Sequence, residues 1–292
     1  MEYDRRKFIK ITGGVTTGLA LSSITGMSLL SSCKNGPESL TSFGLQLYSL
    51  RDDMPKDPKG VLKQVASFGY KQVESYQHDQ LGMFWGMSNT DFKKYMDELG
   101  MTIIASHCDI NQDFEKKAAE AAAIGMKYLI CPYKGPQKSI DDFKRFADDF
   151  NQRGEVCKKN GIRFAYHNHD YSFKPIDGQV PQDVMMTNTD PSLVDFEMDM
   201  YWVVTAGQDP VAWMKKYSKR FRLCHVKDRM KGATETGASC VLGQGSIDYP
   251  SILKEAKAQG MEYFVVEQER YDGTTPAKAA EDDAAYMKKL II

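Results

Sequence analysis

Gly161-Ile162-Arg163-Phe164-Ala165-Tyr166-His167-Asn168-His169-Asp170 changes character abruptly along its length. A short apolar run, 162–166, has the composition of a strand and stops on two histidines, an asparagine and an aspartate. The glycine in front of it suits the C-terminal cap of a helix, and 139–159 upstream has helical period and length. The same unit recurs in both directions. Strand-like runs at 43–48, 72–76, 102–107, 128–131, 162–166, 193–199, 221–226 and 263–267 alternate with helix-like runs. The helices are expected near 58–68, 89–99, 113–124, 139–159, 181–186, 210–217, 250–259 and 276–290, several closed by a glycine (Gly69, Gly100, Gly125, Gly161, Gly260). Eight such alternations predict an α/β protein with one closed parallel (β/α)8 TIM barrel over 43–292. An open doubly wound sheet is the competing architecture, but it usually carries a glycine-rich phosphate turn after its first strand. Here that turn reads Leu50-Arg51-Asp52-Asp53-Met54, and Gly243-Gln244-Gly245 comes too late and is too short for a dinucleotide fingerprint.

Residues 1–32 read as an export signal rather than as part of the fold. Arg5-Arg6-Lys7 precedes an apolar, small-residue run over 11–30, and Leu30-Ser31-Ser32-Cys33 follows. The opening resembles a twin-arginine signal, with Asp4 where Ser or Thr is more usual, and the tetrapeptide resembles a lipobox. Cys33 is then the lipidation site, 33–42 a tether with Gly36-Pro37, and the protein is expected on the periplasmic side of a bacterial envelope, held to the membrane by its N-terminal lipid. An uncleaved membrane span is the alternative, weakened by the Gly, Ser and Thr content of the run. Removing the signal takes away four basic and two acidic residues, moving the formal net charge from −1 to −3. That balance argues against a nucleic-acid partner. The remaining cysteines, 108, 131, 157, 224 and 240, show no C-x-x-C spacing and signal neither a zinc knot nor a disulfide framework. A homo-oligomer stays open.

In a parallel barrel the reactive groups stand at the C-terminal ends of strands. Four neighbouring strand ends offer His167, Asp199, His225 and Glu267, a nitrogen and carboxylate set suited to one divalent metal ion (Mn, Co, Zn, Fe or Mg). Of the five histidines in the chain, four end strands or follow them directly: His107, His167, His169 and His225. Residues i and i+2 of a strand share a face, so His169 pairs with His167, Lys227 with His225, Glu197 with Asp199 and Glu269 with Glu267. His169 lies further out than His167 and is expected to be a general base titrating near neutral pH. The competing assignment exchanges the two histidines. Lys227 is expected to stabilise an oxyanion or to pair with a carboxylate, and Glu267 to serve as acid/base as well as ligand. Gln46, Glu74, His107, Glu197, Trp202 and Glu269 are candidate substrate contacts; Tyr48 can point into the mouth and Trp85 can form a lid.

These residues give the chain a resemblance to the xylose-isomerase-like barrel superfamily, in particular its sugar phosphate isomerase/epimerase group. The matching pieces are Phe164–Asp170, Asp199 with Ala206-Gly207-Gln208-Asp209-Pro210, His225-Val226-Lys227-Asp228, Leu242-Gly243-Gln244-Gly245-Ser246-Ile247-Asp248 and Val266-Glu267-Gln268. The resemblance implies one divalent metal held by Glu, Asp, His and Glu from strands five to eight. Asp199, His225 and Glu267 match three of these; His167 stands where many members carry Glu, and Ser172 where a Glu is common. Dehydratase and lyase members place a base two residues beyond the strand-five ligand, which His169 fits.

The implied activity is metal-dependent proton abstraction next to a carbonyl of a small carbohydrate-like substrate, giving an isomerase or epimerase. The runner-up is a lyase or dehydratase on a keto-sugar or 3-keto-glycoside. Weaker readings are a DNA endonuclease, disfavoured by charge, and a non-catalytic carbohydrate-binding lipoprotein.

Overall fold

The computed structural model describes residues 39–40 and 42–292. The expected export signal, Cys33 and tether residues 33–38 and Thr41 lie outside the described residues. Eight parallel strands close into a barrel: β1 (Gly44–Gln46), β2 (Gln72–Tyr76), β3 (Thr102–His107), β4 (Tyr128–Cys131), β5 (Arg163–His167), β6 (Val194–Asp199), β7 (Phe221–Val226) and β8 (Tyr263–Val266). Closure is made where Gly44 of β1 pairs with Val265 on one side and Gln72 on the other. The predicted strands are all present, with ends displaced by at most two residues.

The helices begin and end where local chemistry dictates. In α1 (Pro58–Phe68), the Asp57 carboxylate accepts from the Gly60 N–H at 2.9 Å, proline opens the first turn, and Gly69 closes it at φ 100°. Asp209 and Pro210 repeat that start in α7 (Pro210–Lys216), as do Thr275 and Pro276 in α9 (Pro276–Met287). Between them stand α2 (Asn89–Glu98), α3 (Phe114–Ala123), α4 (Ile140–Lys159), α5 (Pro181–Asn188), α6 (Met200–Thr205) and α8 (Tyr249–Ala258). Among these, α6 has no counterpart in the sequence reading. Its Met-Tyr-Trp-Val-Val run is too short and apolar to show a helical period, yet the Asp199 carboxylate caps it by accepting from Trp202 N–H at 3.0 Å. A short antiparallel ribbon, Asp228–Arg229 with Ser239–Cys240, was likewise not signalled.

The barrel interior is layered, and the layering places the site. Ala105, Ile130, Ala165, Leu223 and Val265 form a buried apolar plug. Two residues further along β3, β5, β7 and the end of β8, the same inward face carries His107, His167, His225 and Glu267. Strand direction thus stacks the polar set directly above the plug, at the C-terminal mouth. Register irregularities fall beside two inward carboxylates: opposite Val73 and Glu74, where β3 carries the extra residue Ile104, and opposite Phe196 and Glu197, where β7 carries the extra residue Arg222. Cys108, Cys131, Cys157 and Cys224 are buried free thiols and Cys240 is a half-buried one. No helix among the described residues is long and apolar enough to cross a membrane.

Candidate metal centre and active site

His225 is the hub of the mouth. Its ring is fully buried, and its two nitrogens face different carboxylates. Nδ1 lies 3.1 Å from Glu267 Oε2 and 3.8 Å from Asp199 Oδ2. Nε2 lies 2.8 Å from Glu74 Oε1 and 3.4 Å from Glu197 Oε2. Around the second pole, His107 Nε2 is 2.8 Å from Glu197 Oε2 and 3.1 Å from Glu74 Oε1, and His167 Nδ1 is 3.0 Å from Glu197 Oε2. Around the first pole, the buried Lys227 ammonium reaches Asp199 at 3.2 Å, Glu267 at 2.9 Å and Glu269 at 2.5 Å.

The charges follow from this packing. Burial pushes Glu197 up to about 7, reinforced by the facing Glu74 charge. Burial acts the same way on Glu74, but His107 and His225 overcome it and hold that carboxyl below its usual range. His107 rises to about 9 despite burial because Glu74 and Glu197 favour its cationic form. Burial lowers Lys227, yet Asp199, Glu267 and Glu269 more than restore it and keep it charged. His169 moves the other way: burial and then Lys227 bring it down to about 3. That lies below the near-neutral titration expected for it, because Tyr133, Tyr171, Trp202 and His167 pack around a ring that stays half-buried at the cavity wall.

Two donor groups gather closely enough to hold an ion, with all donor atoms in each within 4.8 Å of one another: Asp199, His225 and Glu267, and His107, His167, Glu197 and His225. The expected quartet is split between them. His167 turns Nδ1 towards Glu197, leaving Nε2 3.9 Å from Asp199 Oδ2. The residues fit a divalent cation on an independent ground. Glu74 Oε2 and Glu197 Oε1 are buried with no hydrogen-bond partner, and Asp199 Oδ2 makes no hydrogen bond although the Lys227 ammonium lies 3.2 Å away; a cation would relieve the cost of such buried oxygens.

Above these groups opens a cavity of about 370 Å³. His107, His167, His169, Trp202, Lys227, Glu267 and Glu269 line it, as does Tyr48. Gln46, Glu74 and Glu197, expected to touch substrate, are instead fully buried beneath it, where Gln46 donates to Glu74 at 2.6 Å. Trp85 is no lid: it is 3% exposed, and its indole N–H donates to Ser75 Oγ at 3.0 Å. Sequence reasoning passed over Tyr76, Asp79, Asp109 and Tyr133 on the cavity wall. Tyr133 was accessible to the strand-end rule, since it stands just beyond β4. The motif 242–248 wraps the Asp228 carboxylate, which accepts N–H groups of Gly243 and Gly245 at 2.9 Å each and of Ile247 at 3.2 Å. A Cβ on Gly245 would fall 2.2 Å from Asp228 Oδ1, so this loop tolerates only glycine there. Its role is to anchor the residue next to Lys227.

Comparison with known proteins agrees with this architecture. A model of the xylose isomerase-like TIM barrel family matches residues 62–290. The crystal structure of a sugar phosphate isomerase/epimerase from Parabacteroides distasonis is 30% identical, with a TM-score of 0.74, covering 92% of this chain and all of that one. The IolI protein, solved with a bound zinc atom, shares the fold at 15% identity and a TM-score of 0.67, over 84% of this chain and 95% of that one. An inosose dehydratase from Clostridium beijerinckii is 26% identical over 158 residues, 49% of each protein. The chain thus spans about half the length of the curated relatives it matches. A closed eight-stranded barrel, a metal-capable mouth and this breadth of similarity together place the chain in the xylose isomerase-like TIM barrel family.

Proposed function

We propose that this chain is a metal-dependent enzyme of the sugar isomerase/epimerase type, moving a proton at a carbon next to a carbonyl. The observation that carries the reading is the arrangement of Asp199, His225 and Glu267 below a cavity whose wall presents His169 and Lys227. Asp199, His225 and Glu267 would hold the ion, with His167 Nε2 3.9 Å from Asp199 Oδ2 as a further donor. A bound divalent ion supplies Lewis-acid polarisation of a carbonyl and its neighbouring hydroxyl. His169 is neutral at working pH and lines the cavity, so it can take the proton. Tyr171, stacked on His169 with ring planes 8° apart, holds the imidazole in place. Lys227 steadies negative charge developing on the substrate oxygen while remaining tied to Glu269.

A second reading, loss of a β-substituent from a keto-sugar or 3-keto-glycoside, is favoured by one feature. The end of β5 and the turn after it present His167 and His169 in place of a carboxylate, so an epimerisation run by two glutamates lacks its second partner. The inosose dehydratase relatives point the same way. Incubation of metal-loaded protein in D₂O with sugars and 3-keto-glycosides separates the outcomes. Deuterium uptake without elimination marks an isomerase or epimerase, and release of a leaving group marks a lyase. His169→Ala should lose on the order of 10²–10⁴ in either turnover while keeping its metal. Absence of both reactions across the panel would refute the reading.

We also propose that the mature protein begins at a lipidated Cys33 and works on the periplasmic side of the envelope, as the motif at 30–33 suggests. Fatty-acid labelling lost in Cys33→Ala supports this, and equal labelling of both forms refutes it.

A further inference from the structure

The wall of the mouth carries more information than the reaction requires. Among the described residues only three large hydrophobic side chains are exposed: Tyr48 at 39%, Tyr133 at 56% and Ile291. Two of the three line the same cavity. Exposed aromatic rings that share one concave site mark a binding surface. Both are held from behind. Tyr48 packs edge-on to Tyr76 at 5.2 Å with Arg51 over its ring, and Tyr133 packs edge-on to Tyr171 at 5.4 Å.

The charges on the wall exclude one class of sugar. Asp79, Asp109, Glu267 and Glu269 line the cavity, and Lys227 is the one lysine or arginine among the lining residues. That ammonium is already shared by three carboxylates. Arg51 donates to the Tyr48 and Glu269 carbonyl oxygens. The His107 cation, also on the wall, is likewise held by Glu197 and Glu74, so a phosphate group, which needs free cationic or N–H donors, would meet cations already paired with carboxylates.

We propose that the site takes an uncharged glycoside, with the reacting ring beside His169 and Lys227 and the aglycone on Tyr48 and Tyr133, and that it disfavours phosphorylated sugars. This rests on the sugar-active reading above, but its test needs no turnover. The full chain is titrated calorimetrically with methyl and p-nitrophenyl glycosides in gluco, galacto and manno configuration, and with the corresponding hexose 6-phosphates. In at least one configuration the aryl glycoside should bind about tenfold more tightly than its methyl partner, the scale of one or two aromatic contacts. The 6-phosphate should bind more weakly than either. Tyr48→Ala and Tyr133→Ala should shrink the aryl advantage, weakening the aryl glycoside by a larger factor than the methyl one. No aryl advantage in any configuration overturns the proposal, as does an advantage that survives both substitutions or a 6-phosphate that binds most tightly. Proton-transfer chemistry could fail in D₂O with this pattern intact, so the two claims fall separately.

Discussion

Replacing Lys227 by methionine removes a buried cation while keeping its length and apolar stem. In the wild type three carboxylates meet that ammonium, Asp199 at 3.2 Å, Glu267 at 2.9 Å and Glu269 at 2.5 Å, around a side chain 1% exposed. Removing one partner of a buried ion pair costs about 3–5 kcal/mol, because the other charge stays behind without water. For a domain of this size that corresponds to a fall in Tm of roughly 6–20 °C in metal-free protein. The loss should depend on pH. Glu267 lies well below its usual range although burial opposes this, because Lys227 and His225 hold it there. Its contribution to wild-type stability is thus present above the unfolded-state pKa and lost as pH falls through the folded one. Without the ammonium only His225 opposes the burial of Glu267, so that carboxyl rises, and Asp199, which burial already raises against the pull of Lys227, rises further; the variant therefore loses stability as pH climbs through these raised values. The Tm deficit should therefore grow from pH 5 to pH 8. A divalent metal would reach the same Asp199 and Glu267 oxygens, so its addition should raise the variant's Tm by more than the wild type's. Thermal melts of chelator-treated and metal-loaded protein supply both readings. A variant within 1 °C of wild type at every pH, or one that gains less from metal, would refute the reasoning.

Two further outcomes follow from single contacts. Burial pushes Asp283 up to about 8, with only the Leu242 N–H opposing. A folded pKa above the unfolded one makes stability present below about pH 4 decline as pH rises towards 8, so Asp283→Asn should gain on wild type across that window, by a few kcal/mol at pH 9; parallel urea melts showing no change in the difference would contradict it. Glu74 fixes His225 by accepting at Nε2, 2.8 Å away, which leaves Nδ1 turned towards Asp199 and Glu267. Glu74→Gln should weaken metal binding about 10–100-fold in a chelator competition, and an unchanged Kd would remove Glu74 from that role.

The barrel was legible because its signals are local and repeated. Strand runs ending in polar residues, and glycines closing helices, recur through the chain, and direction along a strand alone places the polar ends at one mouth. Alternation also placed His167, His225 and Glu267 on the inward face. What it could not supply was depth. Gln46 ends β1 as His107 ends β3, and Glu74 stands two residues before the end of β2, yet Gln46 and Glu74 lie beneath the cavity, where Gln46 donates to Glu74 and Glu74 reaches His225. The rotation of His167 towards Glu197 was equally invisible, since it depends on a carboxylate from a neighbouring strand. The basicity of His169 was misjudged for the same reason. Its enclosure comes from Tyr133, Tyr171 and Trp202, which three different segments deliver. The six-residue helix after Asp199 was hidden by its apolar composition, and only the cap made by that carboxylate reveals it.

The central claim is that Asp199, His225 and Glu267 form a metal site serving proton transfer. Elemental analysis of chelator-stripped, re-loaded and desalted protein tests it most directly, with wild type compared against Asp199→Ala and His225→Ala. The account predicts about one equivalent of tightly held divalent metal in the wild type, as for a site with three protein donors, and loss of most of it in both variants. Wild-type protein that retains no metal, or variants that retain it in full, would contradict the account.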